Sequence, residues 1–531
     1  MKSAIKAVKS PTKLHWFFIT VLILGIFFRF YNLDGQVYWH DEALTSSRIA
    51  GYTKKEIRSA VFTGEIIRVQ DLQKYQNSSP EKNFWDTIKV LATDANEHPP
   101  LYYGLLRLWA NIFGFSITAI RCFSVIISLL IFPCLYWLCW ELFRSELIGW
   151  MAIAIASLSP YFVIYAREAR EYSLWTVLTL LVSILLLRAI RYTRNDAKPQ
   201  ENLKNWGGYA IALTLGFYTF PLSGIMAIGQ GLYLIIIEKF RWTRSVLFYI
   251  TALIFSLLAF SPWLTVMIIN SSKGTSWTAF PLPFSIWLKL WAMHFSHGFI
   301  FIADEFGFNT LVNYSTLPLL LLLIFSAFYF LCRHTPRQIW LFILILTLTL
   351  PLFLVLPDLI LGGQRSTSSR YLVPMYLGIQ IAIAYLLATP THKPRLQKSI
   401  TLLILTLGLI SCLFYVNSET SWNKVVSFHN PKIVQAIAQS KNPLLITVSF
   451  GINSGNILAL SHALDPNLNL LLINNSGDRF DWEIIPDLPS EFSDLYFLNT
   501  SDRFLQTLES EYNLETKLIY HDNHLWLWKS T

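Results

Sequence analysis

The chain has 531 residues, of which 53% are hydrophobic, 15% aromatic and only 14% charged, with a mean hydropathy of +0.44. An ordinary soluble domain carries about a quarter charged residues, so this shortage, together with long apolar runs, excludes a soluble globular chain and places it in lipid. The net charge of +9 does not mark a nucleic-acid binder, because residues 417–531 hold 7 Lys/Arg against 13 Asp/Glu and the positive excess lies upstream, mostly in short loops between apolar runs.

In chain order, Lys2, Lys6, Lys9 and Lys13 precede a first apolar run at 14–31. No small-residue cleavage site follows, which predicts a retained span with a cytoplasmic N-terminus. Runs long enough to cross about 30 Å of hydrocarbon recur at 119–141, 147–165, 172–189, 205–220, 222–237, 245–269, 311–332, 339–357, 371–389 and 399–416. A further run at 101–115 is short and carries Arg107, a costly residue against lipid. With 101–115 laid along the outer surface, the loops 141–145, 188–204, 238–244, 333–338 and 390–398, each net basic or near-neutral, all fall inside, as the positive-inside bias requires. The expectation is a polytopic α-helical membrane protein of about eleven spans, with 32–118 as one long external loop and 166–171, 270–310, 358–370 and the C-terminal tail on the same side.

From about 417 the pattern changes. Strand-like runs at 443–448, 468–473, 495–498, 517–520 and 525–528 alternate with helix-like stretches at 453–463 and 501–511. They predict a small external α/β domain over 417–531, following a transmembrane domain over 1–416. The five cysteines lie in apolar segments without metal-ligand or disulfide spacing and read as packed small hydrophobes.

This topology brings four charged clusters to one face. Asp41 and Glu42, in Trp39-His40-Asp41-Glu42-Ala43, are adjacent carboxylates at a predicted helix start. There they can take a proton, hold a metal or cap the helix. Glu97 and His98 precede Pro99-Pro100, a pair that pre-sets a helix start and fixes them at the surface, where a phosphate or carboxylate can meet them. Arg167-Glu168-Ala169-Arg170-Glu171 sits at the outer ends of two spans, where charges must be paired with one another or bound to a ligand; arginine suits phosphate because its planar fork holds two oxygens. Arg370, at the start of the run 371–389, is a further phosphate candidate or an interfacial anchor. The loop 270–310 carries Trp277, Trp287, Trp291, His294, His297 and Asp304, and its aromatic stretch 284–295 reads as a lid or a membrane-hugging connection.

On Trp39-His40-Asp41-Glu42-Ala43, Glu97-His98-Pro99-Pro100-Leu101 and Tyr165-Ala166-Arg167-Glu168-Ala169-Arg170, the chain resembles the bacterial branch of the GT-C glycosyltransferases, namely the family 39-type protein mannosyltransferase and aminoarabinose transferase relatives. The likeness is specific over roughly 14–190. It implies a GT-C fold in the cell membrane and a glycosyltransferase moving a hexosyl or pentosyl group from a polyprenyl-phosphate donor to a hydroxyl of a lipid, protein or glycan acceptor, with inversion. It also implies Asp41 as base with Glu42 as its supporting acid. His98 then meets the lipid phosphate together with Arg167, Arg170 and Arg370, while Glu97, Glu168 and Glu171 support them.

Two departures stand out: the family's basic residue before the two prolines is usually lysine, and no aspartate stands near Tyr172-Ser173. A divalent metal bridging Asp41 and the phosphate is open on this reading. The rival class, a multi-pass transporter or flippase, keeps ionisable groups mid-membrane, whereas here they gather at one surface.

Overall fold

The computed structural model describes residues 13–196, 198–270, 276–303, 311–449, 451–474, 488–489, 491–522 and 524–530. Lys2, Lys6, Lys9 and Asp304 lie outside these residues, and so does the side chain of Trp277.

Each of the eleven predicted runs is helical. Seven helical units are long and apolar enough to cross a membrane: Lys13–Phe30, Ile117–Phe143, Tyr172–Arg194, Arg244–Ile269, Tyr314–His334, Arg337–Leu361 and Pro394–Ser427. The pair Glu146–Ser157 and Pro160–Ala166 forms an eighth, bent by 65°, and Ser223–Ile237 and Val373–Ala388 are shorter apolar helices. The remaining run lies in the helix Pro199–Thr219.

The bend at Ser159-Pro160 has a local cause, because proline cannot continue the ladder of backbone hydrogen bonds. The helix end it exposes is met by a buried cation: Arg29 donates to the carbonyls of Ala156 (3.2 Å) and Ser157 (3.0 Å). That contact needs close helices, and at Gly25 a Cβ would stand 2.6 Å from the Ser157 carbonyl oxygen.

The loops predicted to share the basic side meet one another. Arg191 pairs with Glu141, and Arg194 with Glu238 at 2.8 Å. Tyr385 reaches the His334 carbonyl at 3.2 Å. Run 101–115 is the helix Pro100–Phe113; its 14 residues rise only about 21 Å at 1.5 Å each, too short to cross. Arg107 turns inward to the carbonyls of Ile49 and Lys82, while Ile112 and Phe113 stay exposed.

The tail is α/β as expected, but its sheet is not confined to 417–531. The order is β1-β3-β2-β4-β6-β5, and β1 is Thr63–Arg68 from the long loop, antiparallel to β3 (Asn469–Ile473). The central β2 (Pro443–Val448) lies parallel to β3 and to β4 (Asp494–Leu498), while β5 (Thr516–His521) and β6 (Trp526–Ser530) close the other edge. One apolar core joins Ile57, Val61, Phe62, Val69 and Leu72 of the loop to Ile433, Leu445, Ile457 and Leu470 of the tail. The predicted boundary at 417 is corrected accordingly: loop and tail fold as one unit. Strand β1 escaped the sequence reading because its Thr-Gly-Glu-Ile-Ile-Arg is short and half polar, and its partner lies some 400 residues on. Expressed alone, 417–531 is expected to give no cooperative melting transition, lacking an edge strand and the loop's share of its core; a sharp two-state melt would contradict the shared-core account.

Candidate functional site

The helix His40–Ala50 begins just after the first span and carries Asp41 and Glu42 in its first turn, where the helix dipole favours negative charge. The two neighbours have different partners. Glu42 is fully buried. Its Oε1 accepts from Arg121 Nε (2.8 Å) and the Ala169 N–H (2.9 Å), and its Oε2 from Arg121 Nη2 (2.6 Å) and Lys424 Nζ (3.4 Å). Burial alone would raise this carboxyl, but Arg121 and Lys424 hold it at about 2. With both oxygens taken, Glu42 is an anchor, so the expected supporting acid acts by fixing the helix start and not by meeting the reacting groups.

Asp41 is 22% exposed, and its Oδ2 accepts from Arg370 Nη1 at 3.0 Å. Burial pushes its carboxyl up, but Arg170 and Arg370, helped by His40 and Arg48, pull it far below the ordinary carboxylate range. Arg370 is held by its turn. Ser369 beside it bonds through its carbonyl to Tyr161 and through its hydroxyl to Tyr165, and Asp358 accepts the N–H groups of Arg365 (3.0 Å) and Ser366 (2.7 Å).

On the other side of Asp41, Glu171 Oε1 lies 3.1 Å from His98 Nδ1 and 3.3 Å from Arg170 Nη2, and its Oε2 accepts from the Tyr103 hydroxyl at 3.1 Å. Burial would raise Glu171, yet Arg170 and His98 hold it at about 2. Burial, reinforced by Arg170, lowers His98 from its usual value against the pull of Glu171. Glu97 adds only a distant contact to His98, at 3.8 Å.

The structure therefore brings Asp41, His98, Arg170, Glu171 and Arg370 together and takes Arg167 and Glu168 elsewhere. Arg167 donates to the carbonyls of Phe28 (2.8 Å), Tyr31 (2.5 Å) and Asn32 (2.7 Å) and so caps the first span. This corrects its expected place at a phosphate. Glu168 Oε1 accepts from Asn423 and from Lys424 Nζ at 3.0 Å. Burial, with Glu42 nearby, pushes its carboxyl up against the pull of Lys424.

Sequence reasoning missed Arg48, Arg121 and Lys424. Arg48 lies in the last turn of the helix His40–Ala50, 6.0 Å above the Tyr103 ring, and among the described residues its buried Nη1 has no hydrogen-bond partner. Arg121 carried an available signal, a charge inside the run 119–141. Lys424 lay beyond the boundary drawn at 417. For a divalent metal the fit is poor: among the described residues no three of His, Cys, Asp and Glu converge, and Asp41 faces a guanidinium.

Comparisons with known proteins agree with this architecture. The family model for dolichyl-phosphate-mannose-protein mannosyltransferase matches residues 97–265. No curated protein matches the chain significantly. Similar solved structures include ArnT from Cupriavidus metallidurans in the apo state, at TM-score 0.50 and 14% identity over 97% of each chain. The same protein bound to undecaprenyl phosphate is similar at TM-score 0.49 and 13% identity over 98% of each. The archaeal oligosaccharyltransferase AglB from Archaeoglobus fulgidus, in complex with an inhibitory peptide and a dolichol-phosphate, gives TM-score 0.49 and 11% identity, over 88% of this chain and 65% of its own.

The buried histidines lead to a pH prediction. His40 and His98 are lowered by burial, His294 is lowered by burial to about 4, and His297 falls well below the usual value. An unfolded chain protonates each near pH 6.5, while the folded chain defers their protonation to lower pH. Stability is therefore lost as pH falls below about 6.5, and further toward 4. The melting temperature of the full chain should drop between pH 7.5 and 5, less steeply in His294→Gln; an unchanged melting temperature over that range would refute the assignment.

The resemblance carried by the His-Pro-Pro corner and the arginine cluster is thus met by the family model over 97–265, and the fold of the whole chain agrees with it: this is a polytopic membrane protein of the GT-C glycosyltransferase fold.

Proposed function

We propose that the chain transfers a sugar from a polyprenyl-phosphate donor to an acceptor hydroxyl at the external membrane face, by direct displacement with inversion, with Asp41 as the base. One observation carries this reading. Asp41 is the clustered carboxylate that pairs with an arginine and still keeps an open edge, whereas Glu42, Glu168 and Glu171 are fully buried. The family match supports a lipid-phosphate donor, since that family's description names dolichyl-phosphate mannose.

An acceptor hydroxyl attacks as a carboxylate within hydrogen-bond reach takes its proton. Asp41 ringed by Arg170 and Arg370 is a weak base before the donor arrives, because the same cations that keep it ionised lower its proton affinity. A donor phosphate competes for those guanidinium groups and shares their charge, which raises the basicity of Asp41 when the substrate is in place. The arginines then stabilise the charge growing on the leaving lipid phosphate. Arg48, with its buried Nη1 unpartnered among the described residues, joins Arg170 and Arg370 as a phosphate ligand, and His98 serves as a hydrogen-bonding group.

Replacing Asp41 by Asn is expected to slow transfer from a polyprenyl-phosphate sugar by about 10²–10⁴-fold, the span typical of general-base loss, with the lipid phosphate still bound. Undiminished transfer by this variant would remove Asp41 from the mechanism. Arg48→Ala should weaken lipid-phosphate binding by about tenfold or more, consistent with a charged hydrogen bond of roughly 1.5–3 kcal/mol. An unaltered Kd in a lipid-phosphate binding assay would exclude Arg48 from the donor site.

A further inference from the structure

The turn Trp422–Ser427, which follows the long helix Pro394–Asn417, supplies two groups that bracket Asp41 in sequence. Ser427 Oγ accepts the N–H of His40 at 3.0 Å, one residue before Asp41. Lys424 Nζ reaches Glu42 Oε2 at 3.4 Å, one residue after it. The same ammonium lies 3.0 Å from Glu168 Oε1 and 5.6 Å from the centre of the Trp39 ring. Lysine is rarely so buried without a reason, and here Lys424 is 1% exposed and Ser427 0%.

A second observation points the same way. Val425, next to Lys424, has φ 38° and ψ −102°. A β-branched residue at positive φ is a true outlier, and such strain costs about 1–3 kcal/mol and persists only where surrounding contacts over-determine it. The contacts that hold the turn are the buried lysine on one side and, on the other, Trp422, whose ring stacks on His297 with centroids 3.9 Å apart and planes 8° from parallel. His297 ends the helix Phe284–His297, and that helix also bonds through Trp291 Nε1 and His294 Nε2 to Ser366, four residues before Arg370.

We propose that the turn Trp422–Ser427 is the positioning element of the proposed base, with Lys424 and Ser427 as positioning residues that fix the start of the helix His40–Ala50 and so hold the Asp41 carboxylate at Arg370. Without Lys424, the buried carboxyl of Glu42 keeps Arg121 as its close cation, while that of Glu168 loses its ammonium partner and keeps only Arg370 as a more distant cationic neighbour beside Glu42. Their repulsion moves the helix start and swings Asp41 from its place. Removing the Glu168 charge in the same chain relieves that repulsion. The C-terminal segment is thereby part of the reaction centre, placed there by a buried ion cluster that spans residues 42, 121, 168 and 424.

This inference rests on Asp41 being the base, and the test separates the two. Full-length wild type, Lys424→Met, Lys424→Met with Glu168→Gln, and Ser427→Ala are assayed for transfer from a polyprenyl-phosphate sugar, with elution profile and melting temperature as folding controls. Absence of transfer by wild type would defeat the functional reading itself. With wild type active, K424M is expected to lose at least tenfold in kcat while donor KM stays within threefold, the double variant to regain most of the loss, and S427A to lose about threefold or more in kcat. The proposal is overturned by K424M turning over within twofold of wild type, or by a folded double variant as slow as folded K424M. If K424M fails to fold, S427A decides: a kcat equal to wild type overturns the proposal, and a selective kcat loss upholds it.

Discussion

Charges buried at the end of a helical bundle must be answered by opposite charges or by backbone dipoles, and the Glu42–Arg121 pair is where this constraint bears on everything else. Arg121 holds both oxygens of Glu42 and also donates to the carbonyls of Leu33, Gln36 and Val37. One guanidinium thus ties the end of the first span and the start of the acidic helix to a residue in the third apolar stretch of the chain. Breaking such a pair by removing one partner typically costs about 3–5 kcal/mol, because a buried charge is left uncompensated. Asp41 inherits its place from that anchor.

Around this anchor the remaining arginines divide by partner. Arg29 and Arg167 serve the backbone: the first caps the broken helix ending at Ser157, and the second caps the helix ending at Phe30. These contacts lock two spans end to end without leaving free charge. Arg170 and Arg370 instead act on side chains, Glu171 and Asp41, at the same surface. An arginine spent on three carbonyls has few donors left for a ligand; one sharing a partly exposed carboxylate can exchange it for a phosphate. The distinction rests on partner chemistry, which a sequence motif does not display.

That difference accounts for what was legible beforehand. Apolar run length located all eleven helical units, because a membrane span must satisfy its own backbone, and the basic loops grouped the ends that meet. Short apolar runs between polar stretches located β2 through β6. Of the clusters at 41–42, 97–98, 167–171 and 370, the structure joins Asp41 to Arg370 and His98 to Glu171 and Arg170, and gives Glu42, Arg167 and Glu168 other partners. The roles of Glu42 and Arg167 were not legible, since adjacent residues on a helix point about 100° apart and their partners lie far off in the chain. Lys424 and strand β1 were hidden for the same reason: each completes a structure whose other half is more than 250 residues away.

The central claim is that the Asp41–Arg370 pair is the resting state of a site built for a lipid phosphate. A structure of the full chain with a polyprenyl phosphate bound measures this most directly. The account predicts the phosphate within hydrogen-bond distance of Arg370 and Arg170, with the Asp41–Arg370 contact opened beyond its present 3.0 Å. A phosphate seated elsewhere on the bundle, with that contact intact, would contradict it.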